Sequence, residues 1–184
     1  MGIPGTTGTV EKGTQAMPDA STEVLLDDFE NRDDWELRGP GAPQTHLTTF
    51  VEGAPAKRPG VFADGERGAD HRAVVLLVRS AAEGLEVELA PRAARSRTLP
   101  ESTTELRLWI RSPHASLRVH ALLADREVPL GVTTAAGEWV RLHHRFAGPI
   151  AATELRALRI RLDVVTKTAG EVMILLDDMT AVTA

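Results

Sequence analysis

The chain has no cysteine and no tyrosine, and only three tryptophans and four phenylalanines among its 184 residues. Without cysteine there is no disulfide, no zinc–thiolate site and no thiol nucleophile. With so few rings, an aromatic platform for a ligand has little material. No apolar run approaches the roughly 20 residues that a helix needs to cross a bilayer. Residues 1–22 show neither the basic start nor the apolar stretch of a signal peptide, so export would require a signal not found in this chain. Phosphate-binding glycine loops, His-Glu-x-x-His and Gly-x-Ser-x-Gly are all missing, which removes the commonest signatures of nucleotide, zinc-protease and serine-hydrolase chemistry. Lysine is scarce too: of 21 basic residues, nearly all are arginine, the planar donor suited to two-pronged contacts with carboxylates.

What the chain does have is alternation. In residues 85–89, Leu85, Val87 and Leu89 alternate with Glu86 and Glu88. In 106–111, Leu106, Leu108 and Ile110 alternate with Arg107, Trp109 and Arg111. In 117–123, Leu117, Val119, Ala121 and Leu123 share one face against Arg118, His120 and Leu122. Residues 139–146 put Val140, Leu142, His144 and Phe146 opposite Trp139, Arg141, His143 and Arg145, and 158–164 put Leu158, Ile160, Leu162 and Val164 opposite Arg159, Arg161 and Asp163. A period of two with one greasy and one wet face is that of an antiparallel strand in a two-layer sandwich. Ala73–Val78 is apolar throughout and reads as a central strand, while residues 151–158 leave room for one helical turn. Turn-rich stretches at 63–70, 81–84, 112–116, 133–138 and 166–171 separate the runs. The pattern predicts an all-β antiparallel sandwich of jelly-roll (galactose-binding-like) type, with about eight or nine strands and no long helix. Residues 1–22 read as a flexible or partner-bound tail, and residues 23–184 as one sandwich domain.

Two acid pairs frame that domain: Asp27 and Asp28 near its start, Asp177 and Asp178 near its end, each following Leu-Leu. On a strand, one acid of each pair would point inward and one outward. Turn capping is the first reading of such residues, and calcium the second, with Asp28 and Asp178 as the candidate metal ligands. A catalytic role lacks any further acid–base group, so no catalytic residue and no other cofactor is expected. His143 and His144 fall on opposite faces of one strand and cannot chelate one metal together. Trp109 falls on a wet face, and Trp35 and Trp139, at element beginnings, read as rim packing.

The net charge is −5, against a general nucleic-acid binder. It is uneven: residues 1–92 carry 9 basic and 16 acidic side chains, residues 93–184 carry 12 and 10. Arg107, Arg111, Arg118, Arg141, Arg145, Arg159 and Arg161 all fall on wet faces. If their strands share one sheet, they form a basic plate about four strands wide that could dock an acidic partner or a second copy of the chain; the plain alternative is a solvated face balanced by nearby acids.

The order of motifs resembles the flagellar filament outer-layer (sheath) proteins of spirochaetes. The matching pieces are Asp27–Glu30, Leu108–Trp109, Asp125, Glu138–Trp139 (with Glu where that family usually has Gly) and Asp177–Val182. The resemblance implies a non-catalytic jelly roll in the periplasm, docking onto the flagellar core or other sheath subunits and self-associating. The alternative expectation is a carbohydrate-binding module of the same sandwich form, with calcium as its candidate stabilising ion. Trp109 and the loops 63–70 and 166–171 would then line its site.

Overall fold

In the computed structural model, residues 21–51, 53–55, 72–167 and 170–184 are described. They form twelve strands and three short 3-10 helices, with no α-helix among the described residues. The strands are β1 (Thr22–Asp27), β2 (Trp35–Arg38), β3 (Thr45–Phe50), β4 (Ala73–Val78), β5 (Glu86–Pro91), β6 (Arg97–Leu99), β7 (Thr103–Arg111), β8 (Ala115–Leu123), β9 (Glu127–Thr133), β10 (Val140–Ile150), β11 (Thr153–Val165) and β12 (Val172–Thr183). A front sheet runs β10-β7-β12-β4-β3, with β1 also on β12; a back sheet runs β2-β5-β11-β8-β9, with β6 also on β11. All pairings are antiparallel. The architecture is the jelly-roll sandwich that the alternation predicts.

The strands exceed the expected eight or nine because several are too short or irregular to show a period. β6 has three residues and β2 four, and β9 contains Pro129 and Gly131. Residues 153–158, the place allowed for a helical turn, are strand instead. They pair with β6 on one side and β8 on the other, and a bulge between Leu155 and Ala157 absorbs the break in alternation. Tertiary pairing overrides the local helical preference there.

The core is the set of inward residues that the alternation picks out. Leu106, Leu108 and Ile110 of β7 face Leu117 and Val119 of β8 and Leu158, Ile160 and Leu162 of β11, all fully buried. Each such side chain contributes about 1.5–3 kcal/mol of transfer free energy when withdrawn from water. β4, apolar on both faces, lies between β12 and β3 as its composition demands. Trp35, expected at the rim, is instead in the core at 1 % exposure, its indole stacked on Phe29 with centroids 4.9 Å apart. It opens a four-residue strand directly after a 3-10 turn, so no periodicity marks it as inward-facing.

The first and last strands among the described residues lie side by side. Thr22 pairs with Thr183 and Leu25 with Thr180, so the Leu-Leu-Asp-Asp segments belong to adjacent strands. β12 carries the register of the front sheet, pairing β7 along one edge and both β4 and β1 along the other.

One close approach tests this arrangement. A Cβ added to Gly41 would lie 2.8 Å from the backbone oxygen of Glu86, whereas at Gly148 it would meet nothing within 4 Å. Backbone cannot swing aside as a side-chain tip can, so Gly41→Ala is expected to cost about 1–3 kcal/mol. Gly148→Ala should change stability by no more than about 0.5 kcal/mol. Urea unfolding of both variants measures the contrast.

Candidate functional site

The acid pairs resolve into structural contacts. Asp27 is buried at the end of β1, where one carboxylate oxygen accepts from the Phe29 amide at 2.6 Å. The other accepts from Nε of Arg97 at 2.6 Å, and Arg97 also reaches Asp34 at 3.4 Å. Since β1 belongs to the front sheet and β6 to the back, the Asp27–Arg97 pair ties the two sheets together at their edge. A cleft of about 310 Å³ opens beside it, lined by Leu25, Asp28, Asp34 and Arg95. Burial pushes the Asp27 carboxyl above the usual aspartate value, against the pull of the Arg97 charge and the Phe29 amide.

Asp28 is half-exposed and accepts from the Glu30 amide at 3.2 Å, a local turn contact. Asp177 and Asp178 depart from the expected one-in, one-out arrangement, since both are buried, at 0 % and 4 % exposure. The cause is a register shift between Asp177 and Met179, with Asp178 in the left-handed region at φ 33°. Asp177 accepts from the Ala54 amide at 2.7 Å and so holds the segment after β3 against β12. Among the described residues, no group of three or more histidines or acids is arranged to hold a metal ion.

The seven arginines do not form one plate. Arg107 and Arg111 on β7, with Arg141 and Arg145 on β10, belong to the front sheet, while Arg118 on β8 and Arg159 and Arg161 on β11 belong to the back. All are wet-face residues as expected, but sheet membership divides them between opposite sides of the sandwich. On the back, Arg118 and Arg161 meet Asp163 at 3.4 and 3.6 Å, and Arg159 meets Glu127 at 2.9 Å and Glu88 at 3.2 Å. That face is a ladder of balanced charges.

The outer face of the front sheet is different, because a tryptophan stands among its charges. Trp109 on β7 pairs with Arg141 on β10 and with Asp177 on β12. It is partly exposed, and the Arg141 guanidinium lies over the ring, 5.7 Å from its centroid. Beside it Arg107 makes a two-pronged contact to Glu105, at 3.0 Å from Nε and 3.1 Å from Nη2, and approaches Glu23 of β1 at 3.4 Å. Glu23 also accepts from Arg141 and, at 2.7 Å, from the Thr180 hydroxyl. His143 is exposed on the same face, opposite Arg107. His144 turns the other way, its Nδ1 3.0 Å from the Pro129 carbonyl oxygen and its ring edge-on to Phe146.

Trp139, half-buried, packs with Leu77 and Met173 against Ala73, Val75 and Leu175. These lie on the outer side of β4 and β12, so the front face has an apolar half and a charged half that meet near Trp109. Glu23, Glu105 and Thr180 are absent from the residues expected at a site. Glu105 does continue the alternation of β7, but the proximity of Glu23 to Arg141 depends on strand pairing across 118 residues. The loop 63–70 and residues 168–169 of the loop 166–171, like residues 1–20 of the expected tail, lie outside the described residues.

Both carboxylates on this face are held in the ionised form. The hydrogen bond and charge of Arg107 bring Glu105 below the usual glutamate value despite its burial. Burial pushes Glu23 up, but the Thr180 hydroxyl and the charges of Arg141 and Arg107 together outweigh it. The face therefore offers guanidinium and hydroxyl donors, ionised acceptors and one indole surface.

No family model matches the chain, and no curated protein does. Among solved structures, it is similar to a family 61 carbohydrate-binding module in complex with β-1,4-galactotriose. There the identity is 16 %, the match covers 85 % of this chain and 94 % of that one, and the TM-score is 0.50. It is also similar to a mutant family 29 carbohydrate-binding module, at 11 % identity, 90 % and 87 % coverage and a TM-score of 0.48. A third is the enzymatically active domain of tailspike protein 4 of bacteriophage CBA120, at 14 % identity, 84 % and 20 % coverage and a TM-score of 0.48. At these identities the likeness is one of fold.

Two outcomes follow from the charges. A glutamate whose pKa is lowered by folding stabilises the fold above the unfolded value, near pH 4.3, and that stabilisation is lost as pH falls. Glu105→Gln should therefore cost about 1–3 kcal/mol at pH 7 and flatten the loss of stability between pH 6 and 3. Asp27 has the opposite sign. Its raised pKa favours the fold in acid, and that contribution disappears as pH rises. Arg97→Ala, which leaves Asp27 buried without its cation, should cost about 3–5 kcal/mol at pH 7. The deficit should narrow toward pH 4 as Asp27 takes a proton, which unfolding curves at both pH values will show.

Proposed function

We propose that this chain is a non-catalytic β-sandwich that binds carbohydrate on the outer face of its front sheet, centred on Trp109. The observation that carries the reading is the partly exposed indole set among paired, ionised side chains on the outer face of the front sheet. A pyranose presents an apolar C–H face and a rim of hydroxyls. An aromatic ring stacks on the first, while fixed donors and acceptors bind the second. The sandwich it shares with a module bound to β-1,4-galactotriose supports the same class of ligand.

The charge state favours binding over hydrolysis. Glycosidic cleavage needs one carboxyl kept protonated as a general acid. Glu23 and Glu105 are both biased toward the ionised form and are tied to arginines, so they accept hydrogen bonds and donate no proton. Asp27, whose carboxyl is pushed upward, is tied to Arg97 at the sheet edge.

The sheath-subunit reading, with its periplasmic address and filament partners, rests on the motif resemblance alone. The plate expected to dock is divided between two sheets. Co-purification with filaments tests it directly.

Binding to a panel of soluble glycans, followed by titration of the best ligand, tests the carbohydrate reading. Trp109→Ala should weaken affinity about tenfold or more, the equivalent of about 1.4 kcal/mol of stacking. Arg118→Gln, on the back sheet, should leave it unchanged. Equal loss in both variants would argue against a site on the front face.

A further inference from the structure

The front face carries charge of the opposite sign to the chain. The protein has a formal net charge of −5. Yet on the face that carries Trp109 four arginines, Arg107, Arg111, Arg141 and Arg145, accompany two half-buried or buried glutamates, Glu23 and Glu105, and the buried Asp177 on the same side of the sheet. The arginines are unequally committed. Arg107 is held by Glu105 through two nitrogens and approached by Glu23, and Arg111 donates from Nε to the Gly137 carbonyl at 2.6 Å. Arg141 has Glu23 as its carboxylate contact, and its guanidinium lies over the Trp109 ring, 5.7 Å from the centroid. Arg145 is the most open, its side chain 77 % exposed and its contact with Glu105 a long 3.7 Å.

We propose that the ligand of this face is an acidic glycan, a chain of uronic-acid residues, with a pyranose ring stacked on Trp109 and its carboxylates taken by Arg141 and Arg145. This rests on the carbohydrate-binding reading above. A uronate carries its carboxylate at the ring's edge, so a ring stacked on an indole brings that group to a guanidinium alongside. The planar fork of arginine then engages both oxygens. A neutral sugar offers nothing to replace Glu23 as the partner of Arg141, whereas a uronate does. Arg141 and Arg145 lie four residues apart on one side of β10, about 13 Å along the strand. One monosaccharide reaches one of them, and a chain reaches both. An acidic protein would match the charge as well, but it would have no need of a sugar-sized flat ring between the arginines.

The test is calorimetric titration of the full chain with uronic-acid hexamers (galacturonate, mannuronate and glucuronate) and their neutral counterparts, in 20 and 500 mM salt. At low salt, at least one uronate hexamer should bind about tenfold or more tighter than its neutral counterpart and than its own monomer, and high salt should erode that advantage. In the double variant Arg141→Gln/Arg145→Gln, the ratio of uronate to neutral affinity should fall about tenfold. Glu23→Gln, which removes the internal competitor for Arg141, should raise uronate affinity about threefold or more. That gain is one that mere damage to the fold would not produce. Neutral hexamers binding as tightly as uronates, or a preference that survives in the double variant, would overturn the inference and leave the carbohydrate reading standing. Failure of every glycan to bind would remove both.

Discussion

The antiparallel seam between the first and last strands is the constraint on which the rest of the molecule depends. β12 pairs with β7 on one side and with β4 and then β1 on the other, so it sets the register of the front sheet. Trp109 faces outward because Leu108 and Ile110 must face the core, and a slip of one residue would exchange them. Glu23 reaches Arg107 and Arg141 because β1 lies against the far half of β12. The bulge at Asp177–Asp178 falls where β12 changes neighbours from β4 to β1, and buried acids hold the chain at that change.

Electrostatics divide the surface into two kinds of face. On the back sheet, Arg118 and Arg159 meet acids of other strands and Arg161 meets Asp163 of its own strand, and little charge remains for a partner. On the front, the acids are fewer and the arginines surround an indole. Exposed ion pairs add little stability, so the back ladder serves mainly solubility and register. The partly buried pairs of the front, and above all Asp27–Arg97 at the sheet edge, matter more because one charge left alone there is expensive.

How much of this is legible in the sequence follows from the range of each interaction. The period of two in β5, β7, β8, β10 and β11 is local, and residue order alone exposes both the sandwich and its inward leucines. The meeting of β1 and β12 is foreshadowed by their shared Leu-Leu-Asp-Asp. Sheet membership is not local. Nothing in residues 106–111 or 158–164 says that β7 and β11 lie on opposite sides of the core, so Arg107 and Arg159 read as neighbours when they are not. Nor does alternation survive a bulge, and Asp177 and Asp178 are therefore both buried where the period puts one outside. Short elements hide best: Trp35 begins a four-residue strand and its place in the core has no periodic signature. The front face is half visible, since Trp109, Arg107 and Arg141 are marked as outward-facing by their period. Glu23 is not, because its partners are more than eighty residues away.

That Glu23 resides on a strand paired only with β12 among the described residues has a thermodynamic consequence. Strands bonded along one edge open more readily than central ones, through local fluctuations that leave the rest of the sheet intact. When β1 peels from β12, Arg141 loses its carboxylate, Arg107 loses one of two, and the face becomes more cationic without any change at Trp109. An anionic ligand prefers that open state, and by linkage it shifts the population toward it. For the anionic ligand proposed above, β1 would thus act as a built-in antagonist, with the affinity of the face set partly by how firmly β1 holds to β12.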